Sequence, residues 1–101
     1  MTRRAVLAWL EARRPAPPPA LRAHLEATVT DAPATVALPD HLALLGRATL
    51  ARVTARPEGG RELALDLLAA DAFVTYAFEA QAELDVAGIA ALAARVVRGS
   101  A

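Results

Sequence analysis

Hydrophobic and polar residues recur along the chain with the spacing of α-helices, and prolines and glycines divide this pattern into five segments. Residues 2–14 have a ragged apolar face that indicates a short helix, with Thr2 as a candidate N-cap. Four prolines follow within residues 15–19 and end this helix, because proline lacks an amide hydrogen. They predict a stiff connector, after which Pro19 suits the first turn of a second helix that ends near Thr30.

A second connector is predicted over residues 31–39, which have proline near both ends. A third helix is expected from Asp40, a plausible N-cap, to Arg56. Gly46 falls on its apolar face, where glycine costs about 1 kcal/mol relative to alanine in a helix. We therefore expect Gly46 to mark a close helix crossing. Residues 57–60 (Pro-Glu-Gly-Gly) are typical of a stop and turn.

The longest segment, Arg61–Leu84, has no glycine or proline and predicts one helix of about 36 Å. One face, predicted to build the core, contains Leu63, Leu67, Ala70, Val74, Ala77 and Phe78, with Phe73 at its border. A second apolar patch, predicted to be an interface, contains Leu65, Leu68, Ala72 and Tyr76. A two-layer domain needs only one apolar stripe per helix. The second patch therefore predicts a further covering layer, either from the same chain or from a partner subunit.

Asp85 resets the register as a candidate cap, and a fifth helix is expected from Val86 to about Arg98. Residues 99–101 are expected to fray. The pattern as a whole predicts an all-α fold with a single domain over residues 1–101. This domain is a small bundle of about five helices, with the fourth helix (61–84) at its centre.

Composition makes the expected core small. The chain of 101 residues contains 27 alanines and 15 leucines but only 4% aromatic residues, so most of its apolar side chains bury little area. A lone monomer of this kind would be marginally stable, and association is therefore expected. The chain has no cysteine and therefore no disulfide. All eleven basic residues are arginine, lysine and asparagine are absent, and Ile89 is the only isoleucine. This bias is typical of a GC-rich, and here we infer bacterial, genome.

The formal net charge is zero, which gives no overall attraction to nucleic acid or to an anionic membrane. Residues 1–30 carry five arginines and two acids (+3), whereas residues 61–101 carry three arginines and six acids (−3). This asymmetry is compatible with the two ends packing together. The longest stretch without charged residues has nine residues, against about twenty for a membrane span. No secretory signal is recognisable, and we expect a cytoplasmic protein.

Few residues suggest chemistry. The two histidines, His24 and His41, lie in no metal-ligand spacing, and His41 is expected to be exposed. Asp66 and Asp71 flank the predicted core face about 140° apart, so they should pair with arginines and not with each other. Asp71, Thr75 and Glu79 align at four-residue spacing, which is typical of a solvated stripe. No catalytic, metal or cofactor site is predicted.

Residues 45–53 allow a test for a helix-turn-helix motif. In that interpretation Gly46 would form the turn, and Arg47, Thr49 and Arg52 would face DNA. Pro39 would interrupt the preceding helix, and acidic residues follow closely, so we do not favour this alternative.

The sequence therefore favours a non-enzymatic protein–protein interaction module that forms a homodimer through the second apolar patch of the long helix. A second hypothesis is a small regulatory or ligand-binding bundle with a pocket near Trp9 and Tyr76. An enzyme is disfavoured because no nucleophile–base pair or metal constellation is visible.

Overall fold

A computed structural model of the chain describes residues 1–56 and 59–99. The described residues are all-α, and α4 is the longest helix and the centre of the bundle. The helices are α1 (Arg3–Glu11), α2 (Pro19–Thr28), α3 (Leu38–Ala55), α4 (Arg61–Leu84) and α5 (Ile89–Gly99). No helix of the described residues is long and apolar enough to cross a membrane.

The helix ends follow local sequence signals, with some shifts from the predicted bounds. Thr2 caps α1, its hydroxyl accepting a hydrogen bond from the Ala5 amide at 3.1 Å. α2 begins at Pro19 as predicted, since an N-terminal proline sacrifices no intrahelical hydrogen bond. The predicted Asp40 cap is wrong, because α3 begins two residues earlier, at Leu38. Proline is tolerated in that first turn, and the Asp40 carboxylate accepts a hydrogen bond from Arg95 of α5 at 2.8 Å.

The predicted bounds of α4 are confirmed at both ends. After it, the Asp85 side chain accepts a hydrogen bond from the Ala87 amide at 3.1 Å and caps a short 3-10 turn, Val86–Gly88. The predicted fifth helix is therefore divided into this turn and α5. Of the predicted frayed tail, residues 100–101 lie outside the described residues, as do residues 57–58 of the predicted turn.

α3 and α4 form the central pair of the bundle and run antiparallel, since Gly46 of α3 faces Ala70 and Val74 of α4 while Arg52 of α3 contacts Asp66. A methyl group at Gly46 would lie 2.9 Å from Cγ2 of Val74 and 3.1 Å from the carbonyl oxygen of Ala70. The predicted close crossing at Gly46 is thus confirmed. The absence of a side chain at Gly46 leaves room for this close contact, which a methyl group could occupy only if its neighbours shifted.

The buried face of α4 differs from the predicted one by a rotation about the helix axis. It contains Asp66, Ala69, Ala70, Phe73, Ala77 and Ala80. Phe73, expected at the border, is completely buried, whereas Leu67, expected inside, is 53% exposed. Small alanines on both sides of Phe73 allow neighbouring helices to pack closely around one large ring. Ala70 and Ala77 of the predicted face are buried as expected, but periodicity weighted by leucine missed Ala69 and Ala80, because alanine contributes little to such a pattern.

α1, α2 and α5 cover the central pair from different sides. Each contributes one large side chain that is almost completely buried: Val6 from α1, Leu25 from α2 and Leu92 from α5. The N-terminal amine donates to the Ala32 carbonyl at 3.1 Å, and the Ala32 amide donates to the Met1 carbonyl at 2.8 Å. These bonds hold the start of the chain against the second connector.

Candidate functional site

The most concentrated polar cluster of the described residues is centred on Asp66, in the N-terminal half of α4. Its side chain is 3% exposed, and His24 of α2 lies with Nε2 at 2.6 Å from Oδ1. Arg52 of α3 and Arg56, the residue that follows the end of α3, donate to Oδ1 at 3.2 Å and to Oδ2 at 2.8 Å, respectively. A carboxylate only accepts hydrogen bonds, so Nε2 of His24 is the donor in this pair. One carboxylate thus links three helices.

The surroundings of Asp66 favour its charged form. The hydrogen bond from His24 is the main cause that holds the pKa of Asp66 below its ordinary value, and Arg52 acts in the same direction. Burial opposes them, because it disfavours a charged carboxylate. Asp66 is therefore an ionised acceptor near neutral pH and is poorly suited to act there as a general acid. Its evident role is to join α2 and α3 to α4.

Sequence analysis anticipated part of this cluster. The expected pairing with arginine is confirmed for Asp66, but the expected position on the rim of the core is wrong, because Asp66 is buried within the core face. Asp71 is exposed, and the predicted stripe that it forms with Thr75 and Glu79 is also exposed. The four-residue spacing of Arg52 and Arg56 was the available signal, since in the predicted third helix, which extended to Arg56, it places both arginines on one side.

A second cluster joins α1 to the C-terminal half of α4. The Trp9 ring packs edge-to-face against Tyr76 with centroids 6.1 Å apart, and the Arg13 guanidinium lies 3.8 Å from the Trp9 ring centroid. The carboxylate of Glu83 accepts hydrogen bonds from Trp9 at 2.9 Å and from Arg13 at 2.8 Å. These bonds lower the pKa of Glu83, with Arg13 the larger cause. The contact places basic Arg13 of the first segment against acidic Glu83 of the last segment, an arrangement with which the charge asymmetry of the sequence is compatible.

On the other side of α4, an apolar groove opens between α3, α4 and α5 with a volume of about 630 Å³. Gly46 and Ala70 form part of its floor. The apolar side chains that border it include Leu50, Leu67, Leu68, Val74, Val96 and Val97. Leu67 and Leu68 are each 53% exposed, and Arg47 and Asp71 also border the groove. We refer to this feature as the α3–α5 groove.

The four residues of the predicted interface lie in different surroundings. Ala72 and Tyr76 pack against the core, and Tyr76 is covered by Trp9 of α1. Leu65 is half-buried, whereas Leu68 is exposed at the α3–α5 groove. The further layer that the second patch required is therefore supplied in part by the chain's own first helix. The sequence did not indicate the exposure of Leu67, because it was assigned to the core face.

The other residues considered for metal or DNA binding make contacts within the fold. His41, expected to be exposed, is buried, and its Nε2 donates to the Thr30 carbonyl at 3.0 Å. The helix-turn-helix alternative required a turn at Gly46, but α3 continues through this residue. Thr49, which would have faced DNA, is fully buried and donates to the Leu45 carbonyl at 2.8 Å. Among residues 1–56 and 59–99, no group of three or more His, Cys, Asp or Glu could hold a metal ion.

Comparisons with family models, with curated proteins and with solved structures give no match to this chain.

Proposed function

We propose that this protein is a non-enzymatic helical interaction module that associates with a second copy of itself through the α3–α5 groove. The observation that supports the proposal is the exposure of Leu67 and Leu68 on the central helix, beside the exposed Leu50 of α3. Single exposed leucines are ordinary on protein surfaces, but several that border one groove are characteristic of interaction sites. The proposed interface keeps Leu68 from the sequence prediction and adds Leu50 and Leu67.

A second copy is the occupant that the chemistry of the groove favours. Its border carries one residue of each sign, Arg47 and Asp71, and the chain has no net charge. A surface with both signs around an apolar centre can be self-complementary about a two-fold axis, which is the commonest symmetry of homodimers. Association would cover leucines that the small core leaves in solvent. We place this dimer in the cytoplasm of a bacterium, as the composition led us to expect.

Sedimentation velocity over a wide range of protein concentration tests the proposal. We expect a reversible monomer–dimer equilibrium, and either Leu67→Glu or Leu68→Glu should raise the dissociation constant by at least about tenfold, since a buried charge opposes association. Leu84→Glu is the matched control, because Leu84 is also on α4, is 65% exposed, and does not border the groove.

A monomer at every concentration would remove the proposal of self-association. Dissociation by Leu84→Glu as strong as that by Leu67→Glu would move the interface to the end of α4. If Leu68→Glu dissociated the dimer while Leu67→Glu did not, the interface would lie closer to Leu65 and Leu68 of the second apolar patch predicted from the sequence.

A further inference from the structure

A cavity of about 330 Å³ lies on the side of the molecule opposite the α3–α5 groove, between α1, the proline-rich connector and α2. Leu7 and Leu10 of α1 and Leu25 of α2 form its apolar walls, and Pro17 contributes from the connector. Tyr76 of α4 also lines it. Known ligand pockets have volumes from about 300 to 1,000 Å³ and are mostly apolar with a few polar groups. The cavity is therefore large enough for one small molecule.

The charged side chains that border the cavity are already paired. Arg22 donates to Glu26 at 2.9 Å and to Glu11 at 3.4 Å, and Arg13 donates to Glu83 at 2.8 Å. A charged ligand would have to compete with these pairs and lose its own hydration on entry. An uncharged ligand has neither cost. The border of the cavity therefore favours an uncharged molecule.

Tyr76 is the one aromatic side chain and the one side-chain hydroxyl among the described residues that line the cavity. Its ring is fixed by the edge-to-face contact with Trp9, and in residues 1–56 and 59–99 its hydroxyl has no hydrogen-bond partner. Burial raises the pKa of Tyr76 above its ordinary value, and the charge of Glu79 acts in the same direction. The hydroxyl is therefore protonated near neutral pH and available as a donor.

We propose that this cavity binds an uncharged aromatic molecule of about two fused rings that carries one hydrogen-bond acceptor. A cavity of about 150 Å³ holds one benzene ring, so a volume of about twice that size fits a bicyclic ring system. The ring would stack or pack against Tyr76 and the leucines, and its acceptor atom would take the hydrogen bond of the Tyr76 hydroxyl. This site does not depend on the proposed dimer, since the two lie on different sides of α4.

NMR titration of the full chain with quinoline tests this proposal, because quinoline is bicyclic, has one acceptor nitrogen and is uncharged near neutral pH. We expect saturable shifts of the Leu7, Leu10 and Leu25 resonances. Naphthalene has the same shape but no acceptor atom. It should bind about five- to tenfold more weakly, because one hydrogen bond is lost. In the Tyr76→Phe variant, quinoline should bind as weakly as naphthalene, because the ring is kept and the donor is lost.

Ala16→Leu provides a second variant, because Ala16 is an exposed connector residue that also lines the cavity. A larger side chain there should weaken both probes at least about tenfold by occupying the space, without removing a core contact. The proposal would be overturned by shifts confined to Leu50, Leu67 and Leu68 of the groove, or by no saturable shift with quinoline. Equal affinity of Tyr76→Phe and the native chain for quinoline would overturn the role of the hydroxyl.

Discussion

The two sides of α4 are covered in different ways. Toward α1 and α2, long polar side chains reach across the helix boundaries: Trp9 and Arg13 bind Glu83, and His24 binds Asp66. Toward α5, the contacts are mostly apolar and leave the exposed Leu67 beside an open groove. Short helices bury little apolar area. Charge-assisted hydrogen bonds require a defined geometry, and they therefore fix the positions of these helices more specifically than apolar burial alone would. On the α5 side a pair of this kind, Arg95 of α5 with Asp40 of α3, is present, and the groove beside it is the surface through which we propose association.

The sharpest test of this comparison sets a buried leucine of α5 against an exposed leucine of α4. Leu92→Ala should lower the free energy of unfolding by about 3 kcal/mol, because it leaves a cavity at a fully buried position. Leu67→Ala should change it by less than about 0.5 kcal/mol at low protein concentration. Urea unfolding followed by circular dichroism measures both. Equal losses would mean that the groove is closed in the monomer.

On the polar side, Asp66→Asn should lower the free energy of unfolding by about 2 kcal/mol near neutral pH, since it removes charge-assisted hydrogen bonds to three partners. The half-exposed side chains of Arg52 and Arg56 can regain water, which limits the loss. Asp71→Asn, at an exposed position of the same helix, is the control and should stay within about 0.5 kcal/mol. A loss of similar size at both positions would contradict the assigned role of Asp66.

The floor of the groove provides a third test. Gly46→Ala gains about 1 kcal/mol of helix propensity but forces a methyl group against Val74 and the Ala70 carbonyl, an overpacking that costs about 1–3 kcal/mol. We expect a net destabilisation of about 1 kcal/mol in thermal or urea unfolding. In a Val74→Ala background the loss should shrink, because the nearest atom has been removed. A stabilising Gly46→Ala would show that the helices can separate at this crossing.

The smallest expected effect is the pH dependence that Asp66 confers. Its pKa in the folded chain is below the unfolded value of 3.8, so the charged carboxylate stabilises the fold fully above that value. This stabilisation is lost as the pH falls through 3.8 toward the folded pKa. The stability difference between the native chain and Asp66→Asn should therefore narrow on acidification. A difference in the free energy of unfolding that stayed constant as the pH fell below 3.8 would contradict the lowered pKa of Asp66.

The sequence predicted the helical fold well, because its signals are local. Proline and glycine placed the helix boundaries, and the uninterrupted segment from Arg61 to Leu84 was found with both ends correct. The close crossing at Gly46 was also inferred, since an unfavourable glycine inside a helix needs a packing reason. The Asp40 cap failed because a proline in the first turn competes with a side-chain cap as a helix start signal.

The candidate sites were harder to predict, because they depend on which surfaces meet. Asp66 looked like a rim residue by its helical angle, and only the approach of α2 and α3 supplies the three partners that allow a carboxylate to be buried. His24 and His41 gave no sequence signal of their partners, which lie 42 and 11 residues away along the chain.

By itself, the sequence determined the number of helices, their approximate ends, their order and the need for a close crossing at Gly46, since each of these depends on local propensity or on one residue. The tertiary structure decided which face of α4 is buried. Phe73 fills the interior between small alanines, so Leu67 is left outside although it is as apolar as any core residue. Packing depends on how the shapes of side chains fit together as well as on their hydrophobicity. This fit is determined only by the arrangement of the helices in the folded chain.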